Sequence, residues 1–87
     1  MAERDDTVSV VLDRDVALVL FEFLARVVDE EEGEPLAEAL ADDSELHALV
    51  SLFADVEDAL TEPADENYLR LVQEARARVN KRFGRKR

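Results

Sequence analysis

Apolar and polar residues first follow a helical period after residue 13. At 100° per residue, one broad apolar face collects Val16, Ala17, Leu20, Phe23, Leu24, Val27 and Val28. Asp13 precedes this pattern as an N-cap, and Asp15 places a carboxylate in the first turn, near the positive end of the helix dipole. Leu18 and Val19 flank the polar stripe, so this helix is predicted to be either central in the fold or covered by a partner.

Two further helical patterns follow. The spacing of Asp42 and Glu45 is that of a capping box, and a second apolar face then collects Leu46, Leu49, Val50, Phe53, Val56 and Leu60. Asp65 is predicted to cap a third helix, whose apolar face collects Tyr68, Leu71, Val72, Ala75, Val79 and Phe83. Gly84 is predicted to end that helix, because glycine adopts the left-handed conformation at helix C-termini.

The segments outside these three patterns are short. Residues 7–12 are β-branched and partly alternating, which predicts a short strand or an extended arm. The charged run from Asp29 to Glu34, with its glycine and Pro35, predicts a loop, and Leu36–Ala41 is expected to form a helical turn. The prediction is one mainly α domain over 1–87: a strand or arm, then a small antiparallel bundle of three or four helices, then a basic tail at 84–87.

Charge is segregated along the chain. The formal net charge of the 87 residues is −11. Residues 1–66 hold 21 acidic and 3 basic side chains, whereas residues 67–87 hold 1 acidic and 8 basic ones. An acidic body of this kind repels nucleic-acid backbones and anionic membranes and attracts basic partners.

The basic C-terminal segment has three interpretations. Its cations can neutralise the acidic body, within one chain or across a dimer, which is the interpretation we favour. They can also form a solvated end, or contact nucleic acid through Arg82, Arg85, Lys86 and Arg87.

Two stretches resemble a widespread set of small bacterial proteins. Leu12–Arg26 is similar to an LxRDEALVLFEFL-like first helix, and Leu60–Tyr68 is similar to an L-x-E-P…N-Y turn before the last helix. In this chain, Val16 stands where an acidic residue is usual. The resemblance covers roughly residues 7–80 and implies a bacterial origin and a strand followed by helices. Small acidic proteins of this kind are often suspected of immunity or antitoxin roles.

Candidate catalytic chemistry is sparse. The single histidine, His47, is expected on the exposed side of the second helix with no nucleophile of evident purpose. The acidic runs lack the ligand spacing of a calcium loop, and one histidine without cysteine disfavours zinc. No glycine-rich phosphate loop occurs. We therefore expect no catalytic residues, no metal and no cofactor.

The sequence predicts a non-catalytic module that binds a basic protein through an acidic surface, with an immunity-like or antitoxin-like role or mimicry of nucleic acid as the finer hypothesis. The residues expected to contact that partner are Glu30, Glu31, Glu32, Asp42, Asp43, Asp55, Glu57 and Asp58. Nucleic-acid binding by the basic tail and a purely structural oligomer are the alternatives.

A homodimer is also expected, because a single core is only marginally sufficient at this length. Its interface is predicted to involve Val8, Val10, Leu18 and Val19. The absence of cysteine fits a reducing cytoplasm, and no apolar run has the length needed to span a membrane.

Overall fold

The computed structural model describes residues 6–84, which contain helices and no strand. The elements in chain order are α1 (Arg14–Leu24), a π-helical turn (Ala25–Glu30), a 3-10 turn (Glu34–Leu36), α2 (Asp43–Ala59), a second 3-10 turn (Glu62–Ala64) and α3 (Tyr68–Phe83). The prediction of a small, mainly helical domain is confirmed. A helical turn was predicted at Leu36–Ala41, but the 3-10 turn lies at Glu34–Leu36, so the two ranges share only Leu36.

The first helix begins where the sequence predicts. The Asp13 carboxylate accepts hydrogen bonds from the backbone N–H groups of Asp15, at 3.0 Å, and Val16, at 3.4 Å. After Leu24 the chain continues without a break into the wider π-helical turn, where the adjacent residues Val27 and Val28 are both buried. The helical path thus reaches Glu30, close to the predicted end.

The start of α2 is a variant of the predicted capping box. The Asp42 carboxylate accepts from the N–H of Ser44 at 2.8 Å. Glu45 reaches back one residue further than the standard pattern and accepts from the N–H of Ala41 at 2.7 Å. Both interactions satisfy backbone donors that the first helical turn would otherwise leave unpaired.

The predicted start of α3 is wrong by two residues, because Asn67 and not Asp65 occupies the N-cap position. Asp65 lies in the preceding turn, where its carboxylate accepts from the N–H of Asn67 at 2.7 Å. The end of the helix is as predicted: Gly84 has a φ of 64° and donates to the carbonyl of Asn80 at 3.0 Å.

Helix α1 is central and packs against both other helices. The Tyr68 hydroxyl, at the start of α3, donates to Glu22 in the second half of α1 at 2.6 Å. Arg78, near the end of α3, pairs with Asp15 near the start of α1. These two contacts show that α3 runs antiparallel to α1.

The core includes two clusters on neighbouring sides of α1. Ala17, Phe21 and Val56 form the cluster towards α2, and Leu18, Val72 and Ala75 form the cluster towards α3. Leu60 and Tyr68 pack against both clusters and so connect them. Phe21 also stacks on Phe53, with ring centroids 5.3 Å apart.

This arrangement corrects the predicted role of Leu18. Its side chain is only 3% exposed and lies in the core of a single chain, so it is not available to a second copy in this fold. Its position beside the polar stripe follows from α1 having two neighbours, since α3 covers that side. Val19 is half-buried and packs against the same cluster.

Some predicted core positions are exposed instead. Val50 and Phe83 belong to the predicted apolar faces of α2 and α3 but lie at the surface. Phe23 is also partly exposed, with the Arg26 guanidinium 5.7 Å from the centre of its ring. The helical period is correct in each case, but a period does not show which turns of a helix a neighbour covers.

Residues 7–12 have no regular secondary structure, and their side chains are exposed. The strand or extended arm at these residues therefore stays a prediction. Pairing of these residues with a second chain stays a prediction.

Candidate protein-binding surface

The middle of the chain is a long acidic segment. Residues 27–66 contain 15 acidic side chains and neither lysine nor arginine. All eight residues predicted to contact a basic partner are exposed. The sequence-based prediction of an accessible acidic surface therefore agrees with their placement.

Five of these eight residues belong to two segments that meet beyond the end of α1. We call this group the acidic end, and its members are Glu30, Glu31, Glu32, Asp42 and Asp43. Glu32, Asp42 and Asp43 line one open cleft of about 230 Å³, together with Gly33 and Leu46 among others. The fold thus brings together carboxylates that are ten or more residues apart in sequence.

The local backbone explains how the two segments meet. The chain turns sharply after the π-helical turn, with left-handed φ angles of 55° at Glu32 and 79° at Gly33. A Cβ atom added to Gly33 would lie 2.8 Å from a methyl carbon of Leu46, so that methyl group would have to move, and the left-handed φ itself favours glycine here. The hydroxyl and the N–H of Ser44 lower the pKa of Asp42, which holds that carboxylate in its charged form.

The other three predicted contact residues, Asp55, Glu57 and Asp58, lie on α2 and do not belong to the acidic end. Asp55 and Asp58 lie three residues apart on α2 and share one side of the helix. Glu57 is about 200° around the helix from Asp55 and lies on a different side. Asp55 instead lines an apolar groove described below.

The cations of α3 neutralise a separate group of acids, at the start of α1. Arg78 binds Asp15 with two hydrogen bonds, of 2.8 and 2.9 Å, and Arg82 donates to Asp13 at 3.0 Å. These arginines hold the pKa values of Asp15 and Asp13 below the ordinary aspartate range. The prediction that the basic segment neutralises the acidic body is confirmed for these two arginines.

Arg82 is therefore already engaged by carboxylates, which reduces its value as a contact for nucleic acid. The other predicted nucleic-acid contacts, Arg85, Lys86 and Arg87, lie outside the described residues.

A further ion pair joins Arg14 to Glu62 at 2.8 Å. Within residues 6–84, no ion pair involves a member of the acidic end.

An apolar groove of about 570 Å³ lies between residues 8–12, α1 and α2. One wall is formed by Val8, Val10 and Leu12, and the other is formed mainly by Ala17, Leu20, Leu52, Val56, Ala59 and Leu60. Arg14 and Asp55 are its charged lining residues and carry opposite charges. Sequence reasoning identified Val8 and Val10 but missed the helical wall. The alternation of Val8, Val10 and Leu12 was the available signal, because alternate residues of an extended chain share one side.

One polar contact was also missed. The helical period of α1 gave no sign that the Glu22 carboxylate accepts the hydrogen bond from Tyr68. Partial burial, followed by this hydrogen bond, raises the pKa of the Tyr68 phenol. The pair connects α1 to α3 and keeps the phenol protonated.

The described residues provide little for catalysis or metal binding. His47 is exposed, as the sequence predicts. Within residues 6–84, no three acidic or histidine side chains converge to hold a metal ion. In the same part of the chain, every buried side-chain nitrogen or oxygen has a hydrogen-bond partner. The acidic end and the apolar groove are therefore the surface features from which a function can be argued.

Comparisons with protein families, with curated proteins and with solved structures give no match to this chain. The described helices include none that is both long enough and apolar enough to cross a bilayer.

Proposed function

We propose that this protein is a non-catalytic binding module whose acidic end engages a basic surface of another protein. The observation that carries the proposal is the uneven pairing of charges. Arg78 and Arg82 are paired with acids at the start of α1, whereas the members of the acidic end are exposed and make no ion pair within the described residues.

Electrostatics explains why a basic partner suits this end. Carboxylates gathered without cations repel one another, and a partner that brings lysines or arginines removes that repulsion. Charges at the rim of an interface act mainly by steering the encounter, so they increase the association rate more than the affinity. Binding is therefore expected to be fast and to weaken as salt is added.

The finer hypothesis concerns the class of partner. A protein that binds nucleic acid presents a positively charged groove for phosphates, and the acidic end offers negative charge to such a groove. Support for this hypothesis comes from charge alone. On this basis we propose an immunity-like or antitoxin-like role in the cytoplasm, in which the acidic end occupies the groove of a toxin or nucleic-acid enzyme.

Two variants with the same change in net charge test whether the acidic end itself is the contact. In the first, Glu30, Glu31 and Glu32 are all replaced by lysine. In the second, Asp55, Glu57 and Asp58 on α2 are replaced by lysine. The partner is captured from host lysate with the unaltered protein at low and moderate salt, purified, and titrated against all three proteins.

The proposal predicts that the first variant loses at least tenfold in affinity, mostly through the association rate, and that the second loses much less. Equal losses would show that net charge, and not this surface, determines binding. Unchanged affinity in both variants would remove the acidic surface as the contact. Circular dichroism of each variant controls for loss of the fold.

A further inference from the structure

Residues 7–12 have the properties of an unpaired strand. The six residues, Thr-Val-Ser-Val-Val-Leu, carry no charge in a chain that is otherwise strongly charged. Val8 and Val10 are 89% and 72% exposed although they line the groove, and Val11 is 96% exposed. Their backbone groups make no hydrogen bond to other backbone groups within the described residues. Such a segment presents free donors and acceptors to any second strand.

The chemistry of the groove limits what can occupy it. Its walls are apolar, and its charged lining residues, Arg14 and Asp55, offset each other. A basic peptide would gain little from such a lining, because it meets as much positive as negative charge. The groove is suited to an uncharged, β-branched segment with alternating apolar residues, and residues 7–12 of another copy have those properties.

We infer that two copies of this chain associate through residues 7–12, which pair as antiparallel strands about a two-fold axis and close the two apolar grooves. Residues directly opposite each other in an antiparallel pair point to the same side. Placing Val10 opposite its counterpart sets Val8 opposite Leu12 of the other copy. This register directs all six apolar side chains towards the grooves and leaves Val11 facing outward.

The apolar area sets the expected strength of the dimer. Full burial of a valine or leucine side chain removes roughly 100 Å² from water. Val8, Val10, Leu12 and Leu52 are 89%, 72%, 38% and 36% exposed, which gives roughly 500 Å² for two copies. A standard interface of about 1,600 Å² contains about 1,000 Å² of apolar area in homodimers. The dimer is therefore expected to dissociate on dilution, in the micromolar range.

The mass of the 87-residue chain in solution tests this inference directly. Light scattering is expected to give twice the 9.8 kDa chain mass at high concentration and to approach the chain mass on dilution. The inference is overturned if the measured mass stays that of one chain at every concentration up to about 500 µM. That concentration is at least a hundred times a dissociation constant of about 1–5 µM, so a dimer of the expected strength would be almost fully formed.

A matched pair of variants tests which side chains face the partner. Val10→Asp is expected to raise the dissociation constant of the dimer at least tenfold, because it brings two carboxylates together in an apolar interface. Val11→Asp adds the same charge one residue away, on the outward side, and is expected to have a much smaller effect. Both positions are exposed in the single chain, so neither change should unfold it. A dimer that tolerates Val10→Asp, or that responds equally to both changes, contradicts the proposed pairing.

The register has its own test, since the chain contains no native cysteine. Val10→Cys places two thiols directly opposite each other, within reach of a disulfide. Ser9→Cys lies opposite Val11 of the other copy, so its two thiols are offset along the strands. Under mild oxidation, the Val10→Cys protein is expected to cross-link much faster than the Ser9→Cys protein. Equal rates would contradict the register.

Discussion

Replacing Leu18 with alanine tests whether this residue belongs to the core of one chain or to an interface between copies. The Leu18 side chain is 3% exposed and packs with Val72 and Ala75. The substitution removes three carbon atoms, worth about 2.4 kcal/mol at 0.8 kcal/mol each, and leaves a cavity that adds to the cost. A loss of about 2–5 kcal/mol in the free energy of unfolding is expected.

This loss is large for a domain of 87 residues. At roughly 0.05–0.15 kcal/mol per residue, the whole domain is stable by about 4–13 kcal/mol. A loss of 2–5 kcal/mol lowers the melting temperature by roughly 8–40 °C, since each kcal/mol corresponds to about 4–8 °C in domains of this size. Thermal and urea unfolding followed by circular dichroism would measure both quantities.

Leu69→Ala on α3 is the matched control. It removes the same atoms from a helix, but Leu69 is 69% exposed, so a change within about 0.5 kcal/mol is expected. Each variant should be measured at a low and a high protein concentration. Equal destabilisation by the two changes would refute the proposed packing. A loss for Leu18→Ala that appears only at high concentration would instead place Leu18 in an interface between copies.

Two further changes test the turn after α1 and the charges at its start. Gly33→Ala is expected to cost about 1–3 kcal/mol, because alanine is strained at φ 79° and its Cβ would meet Leu46 at 2.8 Å. Gly84→Ala has a similar φ, but its Cβ would lie 3.9 Å from the carbonyl oxygen of Lys81, an ordinary contact, so an equal cost measured by urea unfolding would show that the Leu46 methyl group moves aside without cost. Asp15→Asn should lower the melting temperature at pH 7. Since Arg78 lowers the pKa of Asp15 from its ordinary value of 3.8, the stabilisation is fully present above pH 3.8 and is lost as the pH falls through the lowered pKa, so the difference in melting temperature should shrink on acidification. A difference that stays constant as the pH is lowered well below 3.8 would contradict the ion-pair explanation.

Local signals predicted the helices well. Asp13, Asp42 and Gly84 mark helix ends through short-range hydrogen bonds or a single backbone conformation, which depend on a few neighbouring residues. Asp65 misled the prediction because aspartate also stabilises turns, and here its carboxylate holds the turn before α3.

Packing was less predictable, because a helical period does not show how many neighbours a helix has. Leu18 looked unpartnered because one apolar face was assumed for α1, whereas that helix contacts two others. Phe83 has the correct period but lies beyond the part of α3 that α1 covers.

For the acidic surface, the sequence predicted which residues are exposed but not which of them lie close together. The sequence indicated which acids are exposed, but not that Glu32 would share a cleft with Asp42 while Glu57 would lie elsewhere. The pairing of Arg82 with Asp13 joins residues separated by 69 positions. Neither a repeat nor a motif links such positions in a single sequence.

The different attachment of the two outer helices has a consequence for local opening. Within α2, Val56 is the only buried residue, and it lies in the second half of the helix. Helix α3 is held by buried Val72 and Ala75 and by ion pairs to α1. Amide hydrogens in the first half of α2 should therefore exchange with solvent faster than those in the middle of α3. Helices α1 and α3 would thus stay packed together while α2 opens locally from its N-terminal half.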